Sequence, residues 1–213
     1  MSMTRPRLAS SSTQLRCLPG LLVIVIVIVI GTLLAPAVPP ASAATPALLL
    51  DDYSDAKRNR SGFERLLVTD AALGSRSKAT QTCTQGVLKV DGELVPGRGV
   101  PAFVSAVSLL STNGTPRDLA AYQGVRLRVR VLRGILCVQV ASSKITNFDF
   151  HTSAPIPGAR AEFKEVRIAF KDLKRAWSEA VPLDPATVTS VNLVSFGTAP
   201  NAFAYEVDEL GFY

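Results

Sequence analysis

Val125 to Leu132 reads VRLRVRVL, and after Arg133-Gly134 the chain continues from Ile135 to Val140 as ILCVQV. Apolar residues alternate with polar ones in both segments, which is the period of a β-strand that buries one face. With Arg133-Gly134 as the turn, every apolar side chain of the first segment faces an apolar one of the second. We therefore predict a β-hairpin. Its polar face carries three arginines and one glutamine: Arg126, Arg128, Arg130 and Gln139.

Similar short strand patterns recur along most of the chain. Gly86 to Val95 reads GVLKVDGELV, in which Asp91-Gly92 predicts a two-residue hairpin turn. Val188 to Phe196 has apolar residues at both odd and even positions, as in a central strand that is covered on both faces. Helical patterns are confined to two stretches, Asp118–Tyr122 and Lys171–Trp177. Many short strands with few helices predict an all-β fold, a two-sheet jelly-roll sandwich with one or two short helices.

The N-terminus has the pattern of an export signal. Arginines precede an uncharged apolar run from Leu21 to Ala35, and Ala41-Ser42-Ala43 then supplies a small-x-small cleavage pattern. We predict a signal peptide over residues 1–43 and a single domain over 44–213, located in the periplasm or outside the cell. An uncleaved membrane anchor is the alternative, although the run is shorter than the roughly 20 residues of a membrane span.

Charge and motifs exclude several functions. The 23 basic and 17 acidic residues give a formal net charge of +6. Three basic residues and no acidic residue precede residue 44, so the rest of the chain carries +3, too little to predict nucleic-acid binding. The sequence contains neither Gly-x-Ser-x-Gly nor His-Glu-x-x-His, and its one histidine cannot supply a multi-histidine metal site.

Two cysteines, Cys83 and Cys137, remain once the leader is removed. An even number of cysteines in an oxidising compartment predicts a disulfide between them. The alternative is that both are free. Cys137 would then lie near Arg130 on the polar face of the predicted hairpin, where the positive charge favours its thiolate.

Several segments of the chain resemble a known family. Asp118 to Arg130, DLAAYQGVRLRVR, resembles an element of galactose-binding-like jelly rolls. Asp51-Asp52 and three longer blocks are similar to the mitochondrial complex I intermediate-associated protein 30 family. The blocks are FKEVRIAFKDLKRAW (Phe163–Trp177), PLDPATVTSVNLVSFG (Pro182–Gly197) and FAYEVDELGFY (Phe203–Tyr213).

The resemblance implies a galactose-binding-like β-sandwich. The mitochondrial members of the family assist the assembly of respiratory complex I, and relatives on the same fold bind carbohydrate. Two features depart from the family: the Arg133-Gly134 turn is shorter than the Asp-Gly-Arg turn expected there, and the leader indicates export. The shorter turn weakens the transfer of a ligand site, and the leader weakens the transfer of the assembly role. The implied fold is unaffected, because a fold does not fix a function.

The arginine row and one aromatic residue are the candidate ligand contacts. Alternate residues of a strand project from one face about 6.6 Å apart, so Arg126, Arg128 and Arg130 form a positive strip that can grip carboxylates, sulfates or phosphates. The alternative is a solvated outer face. Trp177, the only tryptophan, either stacks on a sugar ring or partner, or caps the core.

The acidic residues offer three further hypotheses. Asp149 and His151 share one parity and could act as an orienting acid and a general base, or be structural. Acids near the two ends of the domain could hold calcium or flank a glycosidic bond, or simply be solvated. The candidate calcium ligands are Asp51, Asp52, Glu206 and Asp208.

These observations lead to a main functional hypothesis and two alternatives. The main one is an exported, non-catalytic binding or assembly-factor-like domain that holds a protein or membrane-complex partner. The first alternative is a carbohydrate-binding module for acidic glycans, with Trp177 and the arginine strip as contacts. The second is a glycoside hydrolase that uses an acid pair. We expect no cofactor other than structural calcium.

Overall fold

The computed structural model describes residues 46–99, 101–158 and 161–213. The signal-peptide prediction for residues 1–43 lies outside these ranges. Within them, no helix has both the length and the apolar composition needed to cross a membrane. The described residues form β-strands joined by turns and short 3₁₀ helices.

Most of the strands are short, as their sequence patterns predict, and three reach 10 to 12 residues. They are β1 (Leu48–Asp51), β2 (Leu66–Thr69), β3 (Lys78–Thr84), β4 (Val87–Leu94), β5 (Ala102–Leu109), β6 (Gly124–Arg133), β7 (Cys137–Ser142), β8 (His151–Thr152), β9 (Lys164–Ala169), β10 (Val188–Gly197) and β11 (Asn201–Phe212). The 3₁₀ helices are Asp70–Leu73, Thr112–Gly114, Phe170–Asp172 and Pro185–Thr187.

Two antiparallel sheets pack face to face. The six-stranded sheet has the order β3-β4-β11-β6-β9, with β1 pairing the far end of β11. The five-stranded sheet has the order β2-β5-β10-β7-β8, which places β10 at its centre, as its apolar sequence predicts. The predicted all-β, two-sheet jelly-roll sandwich is therefore confirmed.

The core lies between the sheets and is filled by alternate side chains of both. Phe203, Tyr205 and Val207 of β11 are at most 2% exposed. Val138 and Val140 of β7 meet them from the other sheet and belong to the same hydrophobic cluster. This burial is what fixes the strand faces, because a one-residue slip would turn each apolar set toward water.

The predicted hairpin between Val125 and Val140 is wrong. β6 pairs with β11 and β9, whereas β7 pairs with β10 and β8 in the opposite sheet. The apolar faces of the two strands meet across the core instead of side by side, and both arrangements require the same alternation. Gly134 makes the crossover possible. Its φ is +74°, and a Cβ there would lie 2.9 Å from the Cβ of Phe203.

The Asp91-Gly92 turn is also wrong, because β4 runs through both residues. The β3–β4 turn lies at Gln85-Gly86, where both residues have positive φ (53° and 74°). Gly92 is a close-approach residue, since a Cβ on it would lie only 2.2 Å from the carbonyl oxygen of Lys78.

The two predicted helices are reduced to a turn and a single 3₁₀ turn. Asp118 to Tyr122 is a turn in which the Asp118 carboxylate accepts from the Ala120 amide at 2.8 Å. In the stretch Lys171–Trp177, the helical residues are Lys171 and Asp172, which end the 3₁₀ helix Phe170–Asp172. Short helical patterns carry little free energy on their own, because a helix nucleus is costly.

Candidate functional site

The arginine row lies on the outward face of the six-stranded sheet, opposite acids of the neighbouring strand β11. Arg130 pairs with Glu206, with Nε donating to Oε2 at 2.9 Å. Arg128 Nε lies 3.4 Å from Asp208 Oδ2. The row therefore does not present a free positive strip.

Further ion pairs extend this arrangement. Arg126 lies 3.2 Å from Glu209 and 3.6 Å from Glu165, and Glu165 also accepts from Arg167 at 2.7 Å. Lys89 lies 3.5 Å from Glu206. The guanidinium carbons of Arg128 and Arg130 lie 5.7 and 5.0 Å from the ring centroid of Phe163. We call this surface the charged face.

Gln139 lies on the other sheet, so the structure separates it from the arginines. Its strand β7 exposes Gln139 outward, while Val138 and Val140 point into the core. The register places Gln139 beside Asn192 on β10 and beside Thr152 on β8. Gln139 Nε2 donates to Thr152 Oγ1 at 3.1 Å.

We call the outward surface of the five-stranded sheet the uncharged face. One row across it reads Leu66, Val107, Asn192, Gln139 and Thr152. The adjacent rows contain Val68, Ser105, Val194 and Cys137, and then Phe103 and Phe196. Within the described strands this face has no charged side chain. The middle of this face is closely packed, since Asn192, Ser105, Val194 and Cys137 are at most 6% exposed. Its accessible groups are the amide of Gln139, the hydroxyl of Thr152 and the apolar side chains of Leu66, Val68 and Phe196.

The predicted disulfide is wrong, because Cys83 and Cys137 are both free and lie on different sheets. Cys83 is on β3, with its sulfur 3.1 Å from the carbonyl oxygen of Tyr53. Cys137 is fully buried on the uncharged face. Burial raises its pKa to about 11, against an opposing hydrogen bond from Ser153. The thiolate predicted beside Arg130 is therefore also wrong.

Each of the four candidate calcium ligands faces a cation instead of the other acids. The pairs are Asp51 with Arg65, Asp52 with Arg60, Glu206 with Arg130 and Asp208 with Arg128. Hydrogen bonds from Ser54, and then from Arg60, lower the pKa of Asp52 to about 2. β1 and β11 are neighbours, yet in the described ranges no three His, Cys, Asp or Glu side chains are grouped to hold a metal ion.

Asp149 and His151 are both buried but do not form a catalytic pair. His151 Nε2 lies 2.8 Å from the carbonyl oxygen of Val181. The Asp149 carboxylate accepts from the backbone N–H groups of Ala176 and its two successors. Burial acts to raise the pKa of Asp149, but these hydrogen bonds outweigh it, so the pKa is lowered. The structural interpretation of the two residues fits these contacts.

Trp177 does not cap the core, because its side chain is 72% exposed. It lies in the loop between the 3₁₀ helices Phe170–Asp172 and Pro185–Thr187. The loop begins at the edge of the five-stranded sheet, where Lys174 pairs with Thr152. Trp177 is thus near the edge of the uncharged face, whereas the arginines lie on the opposite sheet.

The fold and this surface define a β-sandwich domain with one charge-balanced face and one uncharged face. No protein-family model matches the chain, and a search of curated proteins finds no match. Solved structures do match. The family 11 carbohydrate-binding module of the cellulosomal cellulase Lic26A-Cel5E of Clostridium thermocellum aligns with a TM-score of 0.57 and 13% identity, over 80% of this chain and 95% of that chain.

A second match is the family 11 module from Clostridium thermocellum in complex with a β-1,3-1,4-mixed-linked tetrasaccharide. It has the same TM-score of 0.57 and 13% identity, over 80% of this chain and 96% of that chain. At this identity the likeness establishes the β-sandwich fold.

Sequence reasoning missed most of the uncharged face. Its signal was Asn192, an amide within the apolar stretch Val188–Phe196, together with the outward Phe103 and Phe196. Phe148, in the segment that precedes Asp149, was missed as well.

Proposed function

We propose that this domain is a non-catalytic carbohydrate-binding module that holds a neutral polysaccharide on its uncharged face. The observation that carries the proposal is the composition of that face. Its described strands present apolar side chains, amides and hydroxyls outward and no charge. These are the groups that a neutral sugar ring requires.

The chemistry of a pyranose ring matches this composition. The ring has apolar C–H surfaces that pack on aromatic and aliphatic side chains, such as Phe196, which is 36% exposed. Its hydroxyl groups both donate and accept hydrogen bonds, and the amide of Gln139 and the hydroxyl of Thr152 can do the same. A few oriented polar groups on an apolar surface are typical of small-molecule sites.

The charged face argues against an acidic glycan as the ligand. Arg126, Arg128 and Arg130 already contact carboxylates, so an incoming sulfate or uronate would have to displace an internal partner. We therefore replace the acidic-glycan hypothesis with a neutral one. The likeness to family 11 modules supports a carbohydrate ligand, since one of them is seen with a β-1,3-1,4-mixed-linked tetrasaccharide.

The absence of catalysis and the location are also part of the proposal. Asp149 hydrogen-bonds backbone amides, and the acids of the charged face each pair with a cation, so neither set is positioned as a free acid pair. Export through the leader at residues 1–43 would bring the domain to polysaccharides outside the cytoplasm.

Binding of the purified protein to neutral β-glucans, measured by affinity electrophoresis and calorimetry, tests this function. We expect Gln139→Ala and Phe196→Ala each to weaken binding about tenfold, equivalent to about 1.4 kcal/mol. Arg128→Ala, on the charged face, is the matched control and should bind as the wild type does. Loss of binding in Arg128→Ala alone would move the site to the other sheet.

A protein partner, as in the assembly-factor hypothesis, is the second candidate function. The observation that favours it is the edge strand β2, where Leu66 and Val68 are 42% and 41% exposed. An edge strand with exposed apolar side chains can pair with a strand of another protein. Leu66→Lys would abolish such an association, whereas Gln139→Ala would leave it unchanged.

A further inference from the structure

Phe148 and Trp177 are the two most exposed large hydrophobic side chains of the described residues, at 75% and 72%. They lie on different loops, one before β8 and one after the 3₁₀ helix Phe170–Asp172. Single exposed hydrophobic residues are ordinary on protein surfaces, but two exposed aromatic residues whose loops are joined by one buried side chain are not.

One buried carboxylate ties the two loops together. Asp149, the neighbour of Phe148, accepts from three successive backbone N–H groups. The distances are 2.8 Å to Ala176, 3.0 Å to Trp177 and 2.7 Å to Ser178. Both aromatic residues are therefore attached, through their backbones, to one side chain that is 1% exposed.

Arg175 braces the same two loops. Its side chain, 10% exposed, donates to the carbonyl of Asp149 at 3.1 Å, to Oδ1 of Asn147 at 3.0 Å and to the carbonyl of Glu179 at 3.1 Å. Asn147 in turn donates to Ser178 Oγ at 2.9 Å. Such a network lowers the entropy that the aromatic side chains lose when a ligand orders them.

The backbone of Phe148 is strained, although its side chain is not buried in the core. Its φ is +62°, in the left-handed region that residues with a Cβ seldom adopt. The ring packs edge-on against Phe150, with centroids 6.1 Å apart, and is otherwise largely solvated. Strain that holds an exposed ring in place is typical of binding sites.

The two loops adjoin the uncharged face. Lys174, three residues before Trp177, exchanges backbone hydrogen bonds with Thr152 at 2.8 and 3.0 Å. Thr152 lies beside Gln139 and accepts its amide hydrogen bond. The row of the sheet that contains Gln139 thus leads toward the aromatic pair.

We infer that Phe148 and Trp177 form a stacking subsite for a further sugar ring of a polysaccharide chain bound to the uncharged face. This inference rests on the proposed function. Hydrogen bonds to Asp149 fix the backbone that carries these exposed rings, and an exposed aromatic ring can stack on the C–H surface of a pyranose. The Asn147 amide has a second N–H that these contacts do not use, and it can donate to a sugar oxygen.

The surroundings favour a sugar over an anionic lipid surface. Lys144 Nζ pairs with Asp184 at 2.6 Å, and Arg175 is turned inward by its three acceptors. Lys171 and Lys174 remain exposed, but two lysines fall short of the roughly four to eight basic residues that a lipid-binding cluster has. A tryptophan does not need the rigid hydrogen-bond network of Asp149 and Arg175 to enter a bilayer interface, whereas stacking on a sugar ring benefits from such a network.

Trp177 is the only tryptophan of the chain, so its fluorescence reports on this subsite alone. The purified protein is titrated with β-1,3-1,4-mixed-linked gluco-oligosaccharides of increasing length, with Trp177 emission and calorimetry recorded together. We expect emission to change only with the longer oligosaccharides. Phe148→Ala and Trp177→Ala should weaken binding of those oligosaccharides about tenfold and leave the shorter ones unaffected.

Leu73→Ala is the matched control, because Leu73 is 58% exposed on a 3₁₀ helix that is not part of this network. It should bind both lengths as the wild type does. Asp149→Asn tests the positioning role of the carboxylate: we expect weaker binding of the long oligosaccharide with both aromatic rings still present. Circular dichroism confirms the fold of each variant.

The outcomes separate the two proposals. Wild-type binding that Phe148→Ala and Trp177→Ala leave unchanged, with constant Trp177 emission, overturns the subsite and keeps the proposed function. No wild-type binding to any glucan overturns the proposed function and the subsite with it. An emission change with phosphatidylglycerol vesicles, but not with oligosaccharides, overturns the subsite in favour of a membrane surface.

Discussion

The charged face and the uncharged face both point away from the same core, yet their polar groups are used in opposite ways. On the charged face, Arg126, Arg128 and Arg130 each contact an acid of β11. On the uncharged face, the described strands have no ion pair, and Gln139 and Thr152 bond only to each other among side chains.

The difference shows that a conspicuous residue pattern need not mark the binding surface. The arginine row is conspicuous in the sequence, but its charges are neutralised within the sheet and contribute mainly to strand pairing. The polar groups of the other face are inconspicuous, and the accessible ones, at Gln139 and Thr152, retain hydrogen-bonding capacity for a ligand.

Placing a charge on the uncharged face should have the largest effect. Asn192 is 5% exposed and accepts from Ser190 Oγ at 2.9 Å. Asn192→Asp keeps the shape but buries a carboxylate on a face with no cation, which we expect to destabilise the protein by about 3 kcal/mol. The free energy of unfolding in urea at neutral pH measures this effect.

Asn192→Leu is the matched control, since it is of similar size and carries no charge. It should lose less stability than Asn192→Asp. The aspartate variant should regain stability in acid, where the new carboxyl group takes a proton. If Asn192→Asp is as stable as the wild type at neutral pH, a positive charge near this face must compensate for the new carboxylate, and the description of the face as uncharged is wrong.

Removing an acid from the charged face should have a smaller effect. Glu206 is 9% exposed at its side chain and lies between Arg130 and Lys89. Glu206→Gln leaves Arg130 with Phe163 but no carboxylate, and we expect a loss of about 2 kcal/mol in the free energy of unfolding. Glucan binding should stay unchanged.

Glu165→Gln is the control on the same face, because Glu165 is exposed and its ion pairs are screened by solvent. It should be less destabilising than Glu206→Gln. Equal losses from the two would contradict the ranking of these pairs by burial. A loss of glucan binding in Glu206→Gln would give the charged face a role in recognition.

The existence of the strands could be predicted from sequence because alternation is a local property. β10 and β11 follow their patterns closely. Which strands are neighbours could not be predicted in the same way. β6 and β7 each have one apolar face, and the alternation is the same whether these faces lie side by side or meet across the core. The close approach of Gly134 to Phe203 belongs to the second arrangement and cannot be read from local sequence. The Asp91-Gly92 turn was predicted wrongly for a similar reason. Gly92 is needed for its close approach to Lys78 on the neighbouring strand β3, and the local sequence does not show that contact.

The candidate site was predicted less well because its residues depend on distant partners. The arginines were visible, but Glu206 lies 76 residues beyond Arg130, and sequence spacing does not show that they pair. Trp177 was a candidate from its residue type alone. Its connection to Phe148 depends on Asp149, whose carboxylate reaches amides 27 to 29 residues away.

Acid titration gives the smallest expected effect and separates the two faces directly. A hydrogen bond from Arg167 lowers the pKa of Glu165, and nearby Arg126 acts in the same direction. The stabilisation from this group is therefore complete above its ordinary pKa and is lost as pH falls through the lowered folded value. We expect a modest fall in Tm between about pH 5 and about pH 3.

Glucan affinity should not follow this fall, because the outward strands of the uncharged face carry no carboxylate. Glu165→Gln should flatten part of the dependence of Tm on pH and leave the affinity as it was. Both quantities can be measured on one set of samples by calorimetry. If the affinity falls together with Tm in the wild type and not in Glu165→Gln, the charged face takes part in binding, and the division of the molecule into a stabilising face and a recognising face fails.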